Sequence, residues 1–209
     1  MSRFADWSLY LVTDRRVAGE RPLEDVVLAA VRGGVTAVQL REKQATTREY
    51  VTMARRLKAL LTPFSVPLIV NDRVDVALAA GADGAHVGQS DMAYADVRRL
   101  VGPDFLVGLS VETMEQAQAA ENLDADYLGV SPIFFTPTKT DTAEAWGIEG
   151  LTALRARSCH VLVAIGGMNS SSVREVIQAG ANGIAVVSAI CAAPDPEAAA
   201  RELRRLILA

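Results

Sequence analysis

The chain is poor in several residue types at once, and each shortage excludes something. Only two cysteines, Cys159 and Cys191, and two histidines occur in 209 residues. None of them forms a C-x-x-C pair or a Cys/His cluster with zinc-ligand spacing, which excludes a structural zinc site and a disulfide scaffold and leaves a reduced, cytoplasmic protein as the expectation. Positive charge is not in excess. A net charge of -4 and a pI near 5.3 give no global attraction to nucleic acid or to an anionic membrane, so any anion must be caught by a local site. No apolar run reaches the length of a membrane span, and the opening segment "MSRFADWSLYLVTD" meets Asp14 before it could act as a signal peptide. Linkers, low-complexity tracts and charge blocks are missing too. Half the residues are hydrophobic, enough for one core, so residues 1–209 are expected to form a single catalytic domain.

What is present is a rhythm. Short apolar runs rich in Val, Ile and Leu fall at residues 8–14, 37–42, 67–72, 84–89, 105–112, 127–134, 161–167 and 183–190. Between them lie segments such as "TREYVTMARRLKALL", "ETMEQAQAAENL" and "DPEAAARELRRLILA", with apolar residues three or four apart, as in crossover helices. Strands that are apolar throughout are covered on both faces, as in a parallel sheet inside a ring of helices. Eight such units predict a single-domain (β/α)8 TIM barrel, with an open doubly wound sheet as the competing architecture. Gly-rich joints such as "AAGADGAHV" and "QAGANGIAV" sit where each helix ends and the next strand begins.

In a barrel of this kind the chemistry lies in the loops after the strands. Strand 2 is followed by Gln39, Arg41 and Lys43, strand 3 by Asn71 and Asp72, and strand 4 by Gln89 and Asp91. Ser110 and Glu112 close strand 5, Gly166 and Gly167 follow strand 7, and Ser188 follows strand 8. The chain has 18 arginines and only three lysines, Lys43, Lys58 and Lys139, and two of the three follow predicted strands. A lysine there suggests a compact cation aimed at a phosphate oxygen, against chance placement in solvent. Asp72 and Asp91 would bring two carboxylates to one rim, a donor set suited to Mg²⁺; the competing reading makes each a helix N-cap. His86, alone on a strand, reads as a packing residue, and His160 precedes strand 7 on the stability face. The pair Gly166–Gly167, with serines after it, suits backbone N–H groups that cradle an anion, or simply a tight turn.

The stretch "SPIFFTPTKTD", Ser131 to Asp141, has no periodicity beyond Phe135, and long aperiodic loops in compact domains are usually functional or disordered. Thr136, Pro137, Thr138 and Lys139 combine hydroxyls, a stiffening proline and a cation, a composition suited to phosphate or diphosphate.

The segments "YLVTD", "VQLREK", "LIVND", "HVGQSD", "GLSVET", "GVSPIFFTPTKTD", "AIGGM" and "VVSAI" resemble, in order and from Leu9 to Ile190, those of the thiamine-phosphate synthase family. The resemblance implies a transferase of thiamine biosynthesis on a TIM barrel, with Mg²⁺ as cofactor. It would join 4-amino-2-methyl-5-hydroxymethylpyrimidine diphosphate to a thiazole phosphate, giving thiamine phosphate and pyrophosphate by a dissociative substitution. Carried onto this chain, the pyrimidine diphosphate contacts fall on Gln39, Leu40, Arg41, Glu42, Lys43, Asn71, Ser110 and Lys139, with Arg41, Lys43, Ser110 and Lys139 in the catalytic role. The metal ligands fall on Asp72 and Asp91, and the thiazole phosphate contacts on Thr136, Pro137, Thr138, Gly167, Val187 and Ser188. Beyond Lys139, "TAEAWGIEGL" lacks the proline often found before the glycine. No Cys–His pair or Ser-His-Asp arrangement appears among the strand ends, as fits a reaction with no protein nucleophile.

The expected partners are two small-molecule substrates, with no nucleic acid and no membrane, and a homo-oligomer is left open. Three rival readings stand beside this one. A related thiazole tautomerase carries a histidine where this chain has Glu112. A phosphosugar isomerase would need His86 as acid/base, and a phosphate-binding module would turn nothing over.

Overall fold

The computed structural model describes residues 5–135 and 144–209; Thr136, Pro137, Thr138 and Lys139 lie outside the described residues. Eight strands, β1 (Leu9–Val12), β2 (Ala37–Leu40), β3 (Leu68–Asn71), β4 (Gly84–Val87), β5 (Leu106–Val111), β6 (Tyr127–Val130), β7 (Leu162–Ile165) and β8 (Gly183–Val186), pair in sequence order. Every pairing is parallel, and β8 returns to β1 through the register Leu9 to Ile184, so the sheet is a closed (β/α)8 barrel. The open-sheet alternative is thereby excluded.

The strands are shorter than their apolar runs. The run 127–134 stops pairing soon after Val130: the Ser131 N–H still reaches Val111 O on β5, but Pro132 has no N–H to give. The run 183–190 becomes β8 and then a four-residue helix.

The outer layer comprises α1 (Arg15–Ala18), α2 (Leu23–Arg32), α3 (Thr47–Leu61), α4 (Val74–Ala80), α5 (Tyr94–Val101), α6 (Met114–Ala120), α7 (Gly147–Arg155), α8 (Val173–Gln178), α9 (Ser188–Cys191) and α10 (Pro196–Ile207). The longest, α3, starts where local chemistry dictates. Thr46 accepts the Glu49 N–H on its hydroxyl, and the Glu49 carboxylate accepts the Thr46 N–H at 2.8 Å. This capping box satisfies two otherwise orphaned donors.

Successive strand residues face opposite ways, and the two faces differ in chemistry. Leu9, Leu11, Val38, Leu40, Leu68 and Val70 point outward into a large core shared with the helices. Inward, Tyr10, Ala37, Ile69, Leu106, Tyr127 and Val163 make a small second core, closed at its N-terminal end by Trp7, whose ring centroid lies 4.2 Å from that of Tyr127. One step further toward the C-terminal mouth, the inward positions of β2, β3, β4 and β5 turn polar: Gln39, Asn71, His86 and Ser110.

The N-terminal face carries a device repeated four times around the barrel. Thr36, Asp83, Asp126 and Asn182 each precede an even-numbered strand. Each accepts, on a side-chain oxygen, the N–H of a residue starting the preceding strand: Leu9, Leu68, Val107 and Leu162, at 2.8–3.1 Å. Each also donates its own N–H to the carbonyl of that same residue. Strand-end groups that would otherwise be buried without partners are thus satisfied in pairs. Cations from the even-strand helices complete three of the clamps: Lys58 on Asp83 at 2.6 Å, Arg98 on Asp126 at 3.3 Å and Arg155 on Asn182 at 3.2 Å. Stability chemistry gathers on this face, which leaves the opposite one free for a site. His160, bonded to Ala120 O at 3.0 Å, belongs to the structural side, as expected.

Candidate active site

A cavity of about 730 Å³ opens at the C-terminal mouth. Its floor carries Gln39, Asn71, His86 and Ser110, one wall carries Arg41, Lys43, Asp72 and Asp91, and the opposite wall carries Gly166, Gly167, Val187 and Ser188. Ten of the expected site residues therefore share one space. Two do not. Leu40 is fully buried with its side chain turned outward into the helical layer, because it alternates with Gln39; only its carbonyl has a polar role, accepting from Tyr50 OH at 2.8 Å. Glu42 lines a neighbouring cavity of about 600 Å³ that shares Arg41 and Lys43. Its carboxylate sits 2.8 Å from Arg15 Nε as an ion pair, at an angle too poor for a hydrogen bond. Lys139, Thr136, Pro137 and Thr138 are outside the described residues.

Asp72 leaves β3 in an unusual conformation. Its φ is +62°, and the Arg73 N–H reaches back to Asn71 O at 2.7 Å while the Asp72 N–H bonds His86 O at 2.8 Å. Aspartate tolerates the left-handed region better than most residues, yet strain of this kind gathers at functional positions. Asp91 is held by the turn after β4, where its Oδ2 accepts the Gly88 N–H at 2.7 Å. Neither carboxylate caps a helix: the residues preceding α4 and α5 are Arg73 and Ala93, and neither makes a side-chain cap. The N-cap reading of these two aspartates is excluded.

The Asp72 carboxyl is pushed up to about 6 by burial first, then by the charge of Asp91 and a hydrogen bond to it, with Lys43 and Arg41 pulling the other way. Two carboxyl groups coupled in this way cannot both ionise cheaply without a cation between them. Among the described residues no group of three His, Cys, Asp or Glu side chains could hold a metal. The pair therefore suits a hard cation that takes two carboxylates and fills its shell with water and phosphate oxygens, and does not suit zinc.

Asp14, after β1, was not among the expected residues. Burial pushes its carboxyl up, but hydrogen bonds from Arg16 and Val17 hold it below the usual carboxylate range. It is 5 % exposed and lies 3.5 Å from Arg41 Nη1, and the Arg41 N–H donates to Thr13 Oγ1 at 3.1 Å. The "VTD" end of β1 thus orients the first cation of "REK". That signal was legible, since Asp14 follows a strand as the other site residues do.

On the opposite wall the two glycines do more than turn. A Cβ on Gly166 would sit 2.8 Å from Pro132 Cβ, and one on Gly167 2.8 Å from Phe134 Cβ; their φ angles are +102° and +68°. Both are needed for the loop after β6 to lie against the loop after β7, through Ile133 N to Ile165 O and Phe134 N to Gly166 O at 2.9 and 3.1 Å.

His86 is the satisfied packing residue expected, and it also lines the cavity. It is buried, and both ring nitrogens are bonded: Nδ1 lies 2.9 Å from Tyr127 OH and Nε2 2.8 Å from Ser110 Oγ. Its inward parity, shared with Gln39, Asn71 and Ser110, was the signal that a lone-histidine argument passes over.

Comparison with known proteins identifies the lineage of this arrangement. The family model described as thiamine monophosphate synthase matches residues 9–190. The chain belongs to this family. It is 58 % identical over 199 residues to the thiamine-phosphate synthase of Albidiferax ferrireducens, covering 95 % of this chain and 91 % of the relative. It is 50 % identical over 200 residues to that of Leptospira biflexa, covering 94 % and 95 %. The solved structure of a thiamine phosphate pyrophosphorylase from Pyrococcus furiosus superposes with a TM-score of 0.90 at 39 % identity, over 98 % of this chain and 96 % of that one. The likeness to a 3-hexulose-6-phosphate synthase, TM-score 0.70 at 18 % identity, shows the barrel alone. As a member of the family the chain is an enzyme, a transferase of thiamine biosynthesis acting on small molecules. Among the described residues no helix is long and apolar enough to cross a membrane.

Proposed function

We propose that this enzyme condenses 4-amino-2-methyl-5-hydroxymethylpyrimidine diphosphate with a thiazole phosphate, releasing pyrophosphate, with Mg²⁺ held by Asp72 and Asp91, in the cytoplasm. One observation carries the reading. Two neighbouring carboxylates, Asp72 and Asp91, line the same cavity as Arg41 and Lys43, and both cations act on Asp72, which is the charge pattern that a metal-bound diphosphate complements. Magnesium, when bound there, supplies neutralising charge to the leaving diphosphate.

The protein's own groups do the rest by placement. Arg41, steadied by Asp14 and Thr13, and Lys43 hold the diphosphate and lower the cost of the charge that grows on it as the bond to carbon breaks. Gln39, Asn71 and Ser110 grip the pyrimidine on the floor. Gly167, Val187 and Ser188 receive the thiazole phosphate across the mouth, so that the thiazole nitrogen faces the carbon that loses diphosphate. Lys139, Thr136, Pro137 and Thr138 join these groups as the family resemblance assigns them. No side chain need attack, so rate comes from proximity and preorganised charge.

The test is pyrophosphate release by purified protein supplied with the pyrimidine diphosphate, with and without Mg²⁺ and with and without thiazole phosphate. Release that needs both supports the reading. Folded protein that releases none under any condition overturns it.

A further inference from the structure

At the cavity floor, five side chains from five strands form one hydrogen-bonded line. Gln39 Nε2 donates to Tyr10 OH at 3.0 Å, Tyr10 OH meets Tyr127 OH at 2.9 Å, Tyr127 OH meets His86 Nδ1 at 2.9 Å, and His86 Nε2 meets Ser110 Oγ at 2.8 Å. The line is built into the barrel. A Cβ on Gly108 would lie 2.1 Å from Tyr127 Cζ, and one on Gly129 3.0 Å from His86 Cε1, so both rings occupy space that glycine alone leaves open. Tyr10 and Tyr127 are each 1 % exposed, and burial raises both hydroxyl pKa values far above neutrality. Both phenols therefore keep their protons.

Proton counting then gives the line a direction. An amide nitrogen only donates, so Tyr10 accepts from Gln39, and within the line its own proton has Tyr127 OH as its acceptor. Tyr127, already accepting, gives its proton to His86 Nδ1. A neutral imidazole that accepts at Nδ1 carries its proton at Nε2, and that proton goes to Ser110 Oγ. The Ser110 hydroxyl proton is left to point into the cavity, and Gln39 Oε1 is left there as an acceptor.

We propose that Tyr10 and Tyr127 are positioning residues: their hydroxyls hold His86 as the Nε2–H tautomer and thereby set Ser110 as a donor and Gln39 as an acceptor toward the substrate ring. This rests on the proposed pyrimidine site and specifies what that site recognises. An aminopyrimidine carries an N–H donor and ring-nitrogen acceptors, the two kinds of group that an acceptor on Gln39 and a donor on Ser110 receive. The corresponding oxo ring, with its exocyclic oxygen and ring N–H, presents the reverse pattern and leaves both floor groups facing their own kind, an unmade buried pair that sites of this sort reject strongly.

Two measurements test it. In ¹⁵N-histidine-labelled protein, with His160→Gln to assign the second of two histidines, His86 in the wild type should show its proton on Nε2 and a bare Nδ1. Tyr127→Phe should give a mixture of tautomers, because the phenyl ring no longer donates to Nδ1. If Tyr127→Phe does not fold, the wild-type spectrum still decides, because the line requires the His86 proton on Nε2. A proton on Nδ1 in the wild type, or an unchanged spectrum in folded Tyr127→Phe, overturns the proposal whether or not the enzyme turns over, so its failure is separable from failure of the functional reading. In active enzyme, Tyr127→Phe should raise KM for the pyrimidine diphosphate about tenfold with KM for the thiazole phosphate unchanged, and should narrow the preference for the amino over the oxo ring. Equal loss toward both substrates with that preference intact would make the tyrosines packing residues and overturn it as well.

Discussion

Asp72 and Asp91, carried by consecutive βα loops, line the same cavity at the mouth of the barrel, where the charge of Asp91 adds to burial in holding the Asp72 carboxyl up. Two coupled acids are costly to keep ionised, and the barrel holds them there by a left-handed aspartate and a turn at Gly88. The arrangement spends stability on a site, and that spending is measurable.

Asp72→Asn is expected to stabilise the metal-free protein at high pH only. The folded-state pKa of about 6 lies above the ordinary 3.8, so the native state loses stability as pH rises from about 4 to about 6 and stays penalised above that window. Because the group is only half buried and solvent screens it, the gain should be about 1 kcal/mol. Melting temperatures without divalent ions should differ at pH 7.5 and coincide near pH 4; an equal difference at both would sever the effect from titration.

Mg²⁺ should raise the melting temperature of the wild type at pH 7.5 and lose that effect below about pH 6, as protons compete for the pair. In Asp91→Asn the stabilisation should vanish at every pH. Calorimetric titration with the metal alone checks this without any turnover.

Lys43→Ala should cost about 2–4 kcal/mol in kcat/KM toward the pyrimidine diphosphate if the ammonium stabilises charge on the departing group, while KM for the thiazole phosphate stays the same. Unaltered kinetics would remove Lys43 from the mechanism.

Gly167→Ala puts a Cβ 2.8 Å from Phe134 Cβ at a φ of +68°. Both the loop after β6 and the one after β7 must shift, at a cost of about 1–3 kcal/mol in stability. The thiazole phosphate should bind more weakly and the pyrimidine diphosphate unchanged, as read by separate binding titrations.

Asp126→Ala strips the buried acceptor from Val107 N–H and one of two carboxylate partners from Arg98, which keeps Asp124, at the face away from the cavity. A loss of about 2–3 kcal/mol is expected. Steady-state kinetics at low temperature should match the wild type; a fall in kcat there would link the clamp to the site.

Much of this was readable in advance because it depends on local pattern. The runs rich in Val, Ile and Leu, and the period of segments such as 47–61, reflect burial on both faces of a strand and on one face of a helix, and α3 spans Thr47–Leu61 as expected. Polar residues just past strands could be placed at one mouth because a parallel barrel sends every strand end the same way. Leu40 and His86 mark where that reasoning stopped. Whether a residue at a strand end faces the cavity or the helices depends on the parity of each strand, and a one-residue change of phase exchanges the two faces.

By itself, then, the sequence determined the barrel, its eight units, and the set of Arg, Lys, Asp, Asn and Ser groups at its mouth, since these follow from hydrophobic period and from order along the chain. Tertiary structure alone decided that Asp72 faces the same cavity as Asp91 instead of capping a helix, that Gly166 and Gly167 seat the loop after β6, and that Tyr10, Tyr127 and His86 form one line between Gln39 and Ser110. Each of these is a contact between residues separated in sequence, made between neighbouring loops or through the barrel interior, and no local pattern encodes those distances.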